Sequence, residues 1–476
     1  MADNLAQDQR ERELKFDVPE DWVLPDPSRL APDGGSVERE TVRLETTYFD
    51  TVDHALFHNR LTLRRRTGDS DTGWQLKVPD GDARVEIRLP LSGRGVPEEL
   101  RKATLGVRSR AVLKPLAILT TEREIHRVLD GEGRPLAELV VDSVTSAAAL
   151  DAAVIRQWRE VEVELVGGDE RLLGRAAKWL VKRGAEPSAS GSKLARALAL
   201  DAREEPDAAA LSGLVSRYLD RQHEAIVRGD IALRRGQDAI HKTRVATRRY
   251  RSVLRVFADL FDPGRAAALD AELAWYAAAL GEVRDRQVLR AHLDDVLADL
   301  PPELILGPVA ARIHQTLLAE HLQADADLAA LMGARRYFDL LTELRSWRAQ
   351  LPIVQDGSAT AVKRYVGKAE AKVRRRLRRA RRDHTDEAVH RARKAAKRAR
   401  YAAELSRPAL GKRGRATAKR LKKQQQRLGE HQDGAVAAEF LRRVAAVAGV
   451  TAGENGFTFG LMYERERSRG QLLPEP

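Results

Sequence analysis

The run Glu160-Val161-Glu162-Val163-Glu164 puts three carboxylates on one side of an extended chain and two valines on the other, because side chains alternate along a strand. Alone, such a face would be solvated. The same one-sided charge recurs through the first two hundred residues. Glu11, Glu13 and Lys15 share one face if residues 11–16 form a strand, spaced about 7 Å apart. Arg64 and Arg66 lie opposite Leu63, Lys77 follows Leu76, and Arg84, Glu86 and Arg88 alternate with Val85 and Ile87. Arg123 and Arg127 are in phase, and Leu139-Val140-Val141-Asp142 ends on a carboxylate. The faces opposite these charges are only modestly apolar. A sheet closed into a barrel with a polar lumen reconciles the pattern. Carboxylates and cations then converge, and isolated like charges would be costly there, so metal ions and an anionic ligand are expected to complete the site. Carboxylates suit a hard dication, and lysine or arginine meets phosphate.

The period changes near residue 200. Before it, short alternating runs are punctuated by Gly, Pro and Asp, as in antiparallel strands. After it, segments rich in Ala, Leu and Arg read as helices. At 476 residues the chain is long for one core. The reading is a strand-built domain over residues 1–200, a linker over 201–212 carrying Pro206, and a helical domain over 213–470. There is no cysteine, which excludes disulfides and thiolate metal sites and suits a reducing compartment. The polar N-terminus offers no signal peptide, and no stretch approaches about 18 uninterrupted apolar residues. A net charge of +13 points to polyanionic partners.

The helical half repeats itself. Ile240-His241-Lys242-Thr243-Arg244-Val245-Ala246-Thr247-Arg248-Arg249-Tyr250-Arg251 is echoed by Val389-His390-Arg391-Ala392-Arg393-Lys394-Ala395-Ala396-Lys397-Arg398-Ala399-Arg400. Leu280-Gly281-Glu282-Val283-Arg284-Asp285 is matched by Leu428-Gly429-Glu430-His431-Gln432-Asp433. Two motifs repeating at nearly one offset indicate a duplicated unit, over about 213–335 and 336–470. On a helix, His241, Arg244, Arg248, Arg251 and Arg255 form one stripe, and His390, Arg393, Lys397 and Arg400 another. Pseudo-twofold packing would bring the stripes into one basic channel. Arginines between Arg374 and Arg382 surround their helix without a stripe and read as solvated.

The opening Glu11-x-Glu13-x-Lys15 resembles the ExExK signature of CYTH domains, the triphosphate tunnel metalloenzymes. Tyr48-Phe49-Asp50-Thr51, Leu63-Arg64-x-Arg66, Leu76-Lys77, Arg84-x-Glu86, Asp142, Glu160-x-Glu162-x-Glu164 and Ser192-Lys193 follow in family order. The resemblance implies an eight-stranded antiparallel tunnel that binds a triphosphate with Mg²⁺ or Mn²⁺. Glu11, Glu13 and Lys15 would be catalytic, and Glu11, Glu13, Asp142, Glu160, Glu162 and Glu164 would hold metal, which activates water. Lys15, Arg64, Arg66, Lys77, Arg88, Arg123 and Lys193 would hold phosphate oxygens. Arg84 competes with Arg88 for that role, as Arg127 does with Arg123. The later repeats resemble the CHAD domain, which implies two four-helix bundles with pseudo-twofold symmetry and a basic surface for inorganic polyphosphate. His241, Arg244, Arg248, Arg251, His390, Arg393, Lys397 and Arg400 carry over, with Lys422 and Lys423. Gln287 stands where the family carries a second acid, which argues against a metal role there.

The fold expectation is therefore α+β and multidomain, a β tunnel followed by an all-α pair of bundles. Two functional readings follow. One is a Mg²⁺- or Mn²⁺-dependent hydrolase of tripolyphosphate, or of nucleoside or thiamine triphosphate, attached to a polyphosphate-binding module. The other is a binding protein without turnover. A cyclase reaction stays open, though no purine pocket is visible. Nucleic acid is disfavoured, since aromatics for base stacking are only 5% of the chain. A cytoplasmic location follows, with association with polyphosphate granules as a further expectation.

Overall fold

The computed structural model describes residues 7–11, 13–68, 72–81, 83–93, 95–148, 155–190, 192–200 and 205–471. The chain divides into two compact units, residues 1–204 with 230–236, and residues 205–229 with 237–476.

The first unit is built on one ten-stranded antiparallel sheet. Its strands are β1 (Gln7–Glu11), β2 (Glu13–Val18), β3 (Ser36–Asp50), β4 (Thr62–Thr67), β5 (Gly73–Asp80), β6 (Ala83–Leu89), β7 (Lys114–Leu129), β8 (Pro135–Ala148), β9 (Ile155–Leu165) and β10 (Glu186–Pro187). The spatial order is β1-β6-β5-β4-β3-β7-β8-β9-β2-β10. β1 is first in that order and β2 next to last, with only the two-residue β10 beyond it, yet a single residue separates β1 from β2 in the chain. Their ends must therefore meet, and the sheet curls on itself. Eight staves were expected. The count is ten because the opening stave is two strands and β10 is a two-residue addition.

The curl corrects the reading of residues 11–16 as one strand. Glu11 ends β1 opposite Arg84, whereas Glu13 opens β2 opposite Glu164. The stretch changes partner strand between them, from β6 near one end of the sheet order to β9 near the other. Arg12 and the side chain of Glu11 lie outside the described residues.

Alternation then sorts the side chains. Phe16, Val18, Leu139, Val141, Val161 and Val163 turn outward and build a core with Leu172, Ala176 and Leu180 of α3 (Glu170–Val181). The helix begins where the Asp169 carboxylate accepts the Leu172 N–H at 2.9 Å. Two short helices, α1 (Ala55–His58) and α2 (Glu98–Ala103), occupy connections. A further one, α4 (Lys193–Leu198), seats Leu194 and Ala197 among Tyr48, Ala117, Leu119, Val144 and Trp158.

The second unit is helical: α5 (Leu211–Arg234, of which residues 230–234 count with the first unit), α6 (Ile240–Val256), α7 (Pro263–Ala298), α8 (Val309–Gly333), α9 (Arg335–Ala349), α10 (Val362–Asp383), α11 (Asp386–Leu405), α12 (Arg407–Ala448) and α13 (Phe457–Gln471). α12 breaks at Gly411, whose φ of 50° and ψ of −125° suit only glycine. The duplicated helices α6 and α11 touch, as do α7 and α12. A core of Leu293, Val296, Ile313, Phe440, Leu441, Phe459 and Met462 joins α7, α8, α12 and α13, so it takes two helices from each sequence repeat. Elsewhere Phe257 stacks on Tyr365 and Phe261 leans on Trp347, with ring centroids 4.8 and 5.3 Å apart. Most arginines of α10 between Arg374 and Arg382 are exposed, while Val366, Ala369, Val373 and Ala380 give the helix a buried face that the arginine pattern does not reveal. No helix among the described residues is long and apolar enough to cross a membrane.

Candidate functional site

Inside the curled sheet, register decides which charges meet. Lys15 of β2 is the cross-strand partner of Glu162 of β9, and its Nζ donates to Oε1 at 2.6 Å. Arg123 of β7 faces Asp142 of β8, which in turn faces Glu160 of β9. The Arg123 guanidinium donates to both Asp142 oxygens, at 2.9 and 2.7 Å. Carboxylate oxygens of Asp142, Glu160 and Glu162 lie within 4.8 Å of one another. Lys193, the first residue of α4, reaches all three, its Nζ lying 2.9, 2.5 and 2.7 Å from Asp142, Glu160 and Glu162. Ser192 holds that helix start by accepting the Ala195 N–H at 3.1 Å.

A second group centres on Glu86, which is fully buried. Arg88 donates to it at 2.6 Å, and Arg64 and Lys77 approach at 3.7 and 3.8 Å. Tyr48 stands near Arg64, Arg66 and Lys193.

These groups set one another's charge. Burial pushes the Glu162 carboxyl up, but Lys15, Lys193 and Arg123 outweigh it and hold Glu162 well below the usual carboxylate range. For Lys193 burial acts downward and is overcome by Glu160, Glu162 and Asp142, so its ammonium titrates well above the ordinary lysine value. Lys15 is raised in the same way, against burial, by Glu162 and Glu13. Burial raises the Tyr48 phenol, yet Arg64, Lys193 and Arg66 bring it below its ordinary value. Glu162, Lys15 and Lys193 are thus charged at neutral pH. The acidic side of the lumen offers only oxygen donors, which fits a hard dication such as Mg²⁺ or Mn²⁺.

The helical unit holds a cavity of about 500 Å³ whose lining includes Arg244, Arg248, Arg251 and Arg255 of α6. His390, Arg393, Lys394, Lys397 and Arg398 of α11 face them across it. Two carboxylates temper this wall. Asp285 accepts from Arg244 at 2.7 Å, and Asp270 accepts from Arg251 and Arg255 at 3.0 and 2.9 Å. Gly281 explains the Leu-Gly-x-x-Arg-Asp motif. A Cβ there would come within 3.2 Å of the Arg244 guanidinium, so glycine lets Arg244 cross α7 to reach Asp285.

Residues 9–198 match the CYTH domain family and residues 217–442 the CHAD domain family. Two uncharacterized proteins of Mycobacterium tuberculosis, from strains CDC 1551 and H37Rv, are each 37% identical over 497 residues, covering 98% of this chain and 94% of theirs. The chain belongs to the proteins that join a CYTH domain to a CHAD domain. Among solved structures, PptA from Streptomyces chartreusis is 19% identical with a TM-score of 0.47, covering 54% of this chain and 94% of its own. The CHAD domain of the plant Ricinus communis is 28% identical with a TM-score of 0.46, covering 57% of this chain and 91% of its own.

Within the CYTH half, the structure gathers Lys15, Asp142, Glu160, Glu162, Arg123 and Lys193 into one cluster, with Glu13 3.6 Å from Lys15. Arg64, Lys77 and Arg88 share Glu86, Arg66 is buried near Tyr48, and Arg84 acts electrostatically on Glu13. Glu164 is the register partner of Glu13 and stands outside the Asp142 cluster. Arg127 instead pairs with Glu138 and Glu40, at 3.0 and 2.8 Å.

In the CHAD half, Arg244, Arg248, Arg251, His390, Arg393 and Lys397 line the cavity. His241 does not line it; burial, Arg284, Arg248 and Arg244 lower its pKa. Arg400 turns to Glu404 and Gln425, at 2.9 and 3.1 Å. Lys422 and Lys423 lie exposed on α12. The side chains of residues 427–433, the second Leu-Gly block, lie outside the described residues.

Sequence reasoning missed three things. Tyr48 is quoted in a motif without a role; its ring is buried in the core, and the influence of Arg64 and Arg66 on its hydroxyl could have been sought among the in-phase arginines. Glu86 was quoted in a motif without a role, although three cations on adjacent strands need a counter-charge. Lys394 lies four residues beyond His390, and Arg398 four beyond Lys394, which places both beside the α11 stripe.

Proposed function

We propose that the CYTH half hydrolyses inorganic tripolyphosphate or a related triphosphate with Mg²⁺ or Mn²⁺, and that the CHAD half binds inorganic polyphosphate. The convergence of Lys15, Arg123 and Lys193 on Asp142, Glu160 and Glu162 carries the first part. A site for a phosphate chain alone would gain nothing from so many inward carboxylates.

The chemistry is displacement by water at a terminal phosphorus: one P–O bond forms, the bridging P–O bond breaks, and tripolyphosphate leaves as diphosphate and phosphate. Arg64, Arg66, Lys77, Arg84, Arg88 and Arg123 would take phosphate oxygens, spreading the charge that grows as the bridge breaks. Tyr48 would donate its hydroxyl to an oxygen beside Arg64. Glu13, Glu160 and Glu162 are the carboxylates we assign to the dication, because both oxygens of Asp142 are engaged by Arg123. A dication held there would neutralise phosphate oxygens and make a bound water more acidic. No side chain is assigned as a dedicated base.

For the CHAD half the supporting observation is the cavity itself, where nine cationic or imidazole side chains from the two duplicated helices face one space of about 500 Å³. A thin phosphate chain matches it by charge and width.

A substrate panel tests the reading. The full chain with Mn²⁺ should release phosphate from tripolyphosphate, and comparison with nucleoside and thiamine triphosphates ranks the substrates. Absence of release from every triphosphate would leave binding as the sole activity.

A further inference from the structure

The acidic cluster is not an open bowl. Its three carboxylates already share one cation, the Lys193 ammonium, at 2.5–2.9 Å. The lysine side chain is only 6% exposed. It enters on a short helix that is docked by its own apolar face: Leu194 and Ala197 pack among Tyr48, Leu119, Val144 and Trp158. Lys193 thus occupies the space among the Glu160 and Glu162 oxygens, the carboxylates assigned above to a dication. Lys15 and Arg123 already border the same carboxylates, so a dication added while Lys193 stays in place meets the repulsion of all three cations.

We infer that Lys193 is an internal counter-cation that competes with the dication, and that an arriving triphosphate relieves the competition. The inference rests on the proposed triphosphate reading of the CYTH half. The geometry supplies the exchange. Leu194, next to Lys193, packs against the cluster that holds Tyr48, and Tyr48 is under the electrostatic influence of Lys193, Arg64 and Arg66 together, so an anion held by those arginines would offer the ammonium a second partner. With Lys193 turned to phosphate, Glu160 is freed for the metal and Glu162 keeps only Lys15 and Arg123 as cationic neighbours. Without the anion, Lys193 keeps the carboxylates neutralised and metal binding is weak. Metal and triphosphate then bind with positive coupling, and Lys193 is the element that both bias. Lys193 is a positioning residue in this scheme, acting through the carboxylates.

The test is direct Mn²⁺ binding to the full chain, followed by the electron paramagnetic resonance of free Mn²⁺, so that turnover is not the readout. Lys193→Met keeps length and apolar contacts while removing charge. In the absence of phosphate it should bind Mn²⁺ at least tenfold more tightly than wild type. Tripolyphosphate, titrated at 4 °C on a timescale short against hydrolysis, should raise the Mn²⁺ affinity of wild type several-fold beyond its own chelation, and that of Lys193→Met far less. Lys193→Arg, which restores the charge, should return towards the wild-type affinity in the absence of phosphate; this also controls for misfolding of the methionine variant. Equal or weaker Mn²⁺ binding by Lys193→Met overturns the inference, as does equal coupling in the two proteins. If wild type hydrolyses tripolyphosphate and these affinities do not differ, the competition is wrong and the proposed function stands. If the affinities differ and no triphosphate is hydrolysed, the competition stands and the catalytic reading fails.

Discussion

At the scale of single residues, Glu162 is the hub, meeting Lys15 and Lys193 at 2.6 and 2.7 Å. Removing one member of such a buried pair leaves the others uncompensated, at about 3–5 kcal/mol. Glu162→Gln should therefore lower the urea midpoint markedly with little change in m-value. The pKa directions also fix how stability depends on pH. Glu162 and Asp142 are both held below their ordinary values; burial acts against this, and Lys15 and Arg123 respectively are the largest favourable influences. Their contribution is present above the unfolded-state values, near 4.5 and 3.8, and is lost as pH falls through the lower folded values. Lys193 is raised, so its contribution is present below about 10.5 and is lost as pH climbs through its higher folded value. Denaturant midpoints across pH should show a plateau between these limits, with a shallower acid limb in Glu162→Gln. An unchanged acid limb would mean that the cluster is not ionised as described.

At the scale of elements, the strands were legible because period-two alternation of charge against Val, Ile and Leu is a strong local signal, as in residues 84–88 and 160–164. How the sheet seals was not. Nothing local to Glu11-Arg12-Glu13 says that pairing passes from β6 to β9 within two residues, because register is decided by strands distant in sequence. The placement of α4 was equally hidden: six residues with one lysine carry no mark of the core they enter. On α6 and α11 the helical phase correctly grouped most of the stripe. Arg400 left it because Glu404, one turn on, offers a nearer partner. The element-level expectation concerns α4. Leu194 is 1% exposed, and Leu194→Ala should cost about 2–5 kcal/mol. It should also speed amide hydrogen exchange in residues 193–198 more than in β7–β9. Uniform acceleration throughout the unit would mean that Leu194 does not dock α4 as a separate element.

At the scale of the whole molecule, a net charge of +13 makes any polyanion attractive, so specificity must come from arrangement. In the CHAD half Arg248 and Lys397 stand on the two duplicated helices and face the same cavity. The double variant Arg248→Ala with Lys397→Ala should weaken long-chain polyphosphate binding by about a hundredfold, from two charge-assisted contacts. It should also flatten the dependence of log affinity on log salt, with tripolyphosphate turnover largely retained. Equal affinity in variant and wild type would move the polyphosphate surface elsewhere on the helices. The family of each half was readable from ordered motifs, but the sharing of one four-helix core by both repeats was not. Leu293 and Phe440 meet only because α7 and α12 run side by side.

The most direct measurement is phosphate release from tripolyphosphate by the full chain with Mg²⁺ or Mn²⁺, wild type against Glu162→Gln, with folding of the variant checked by circular dichroism. Wild-type release that needs the metal and falls at least a hundredfold in the folded variant is the expected result. Turnover of similar rate in both proteins would contradict the claim that the inward-facing charges of the curled sheet carry the chemistry.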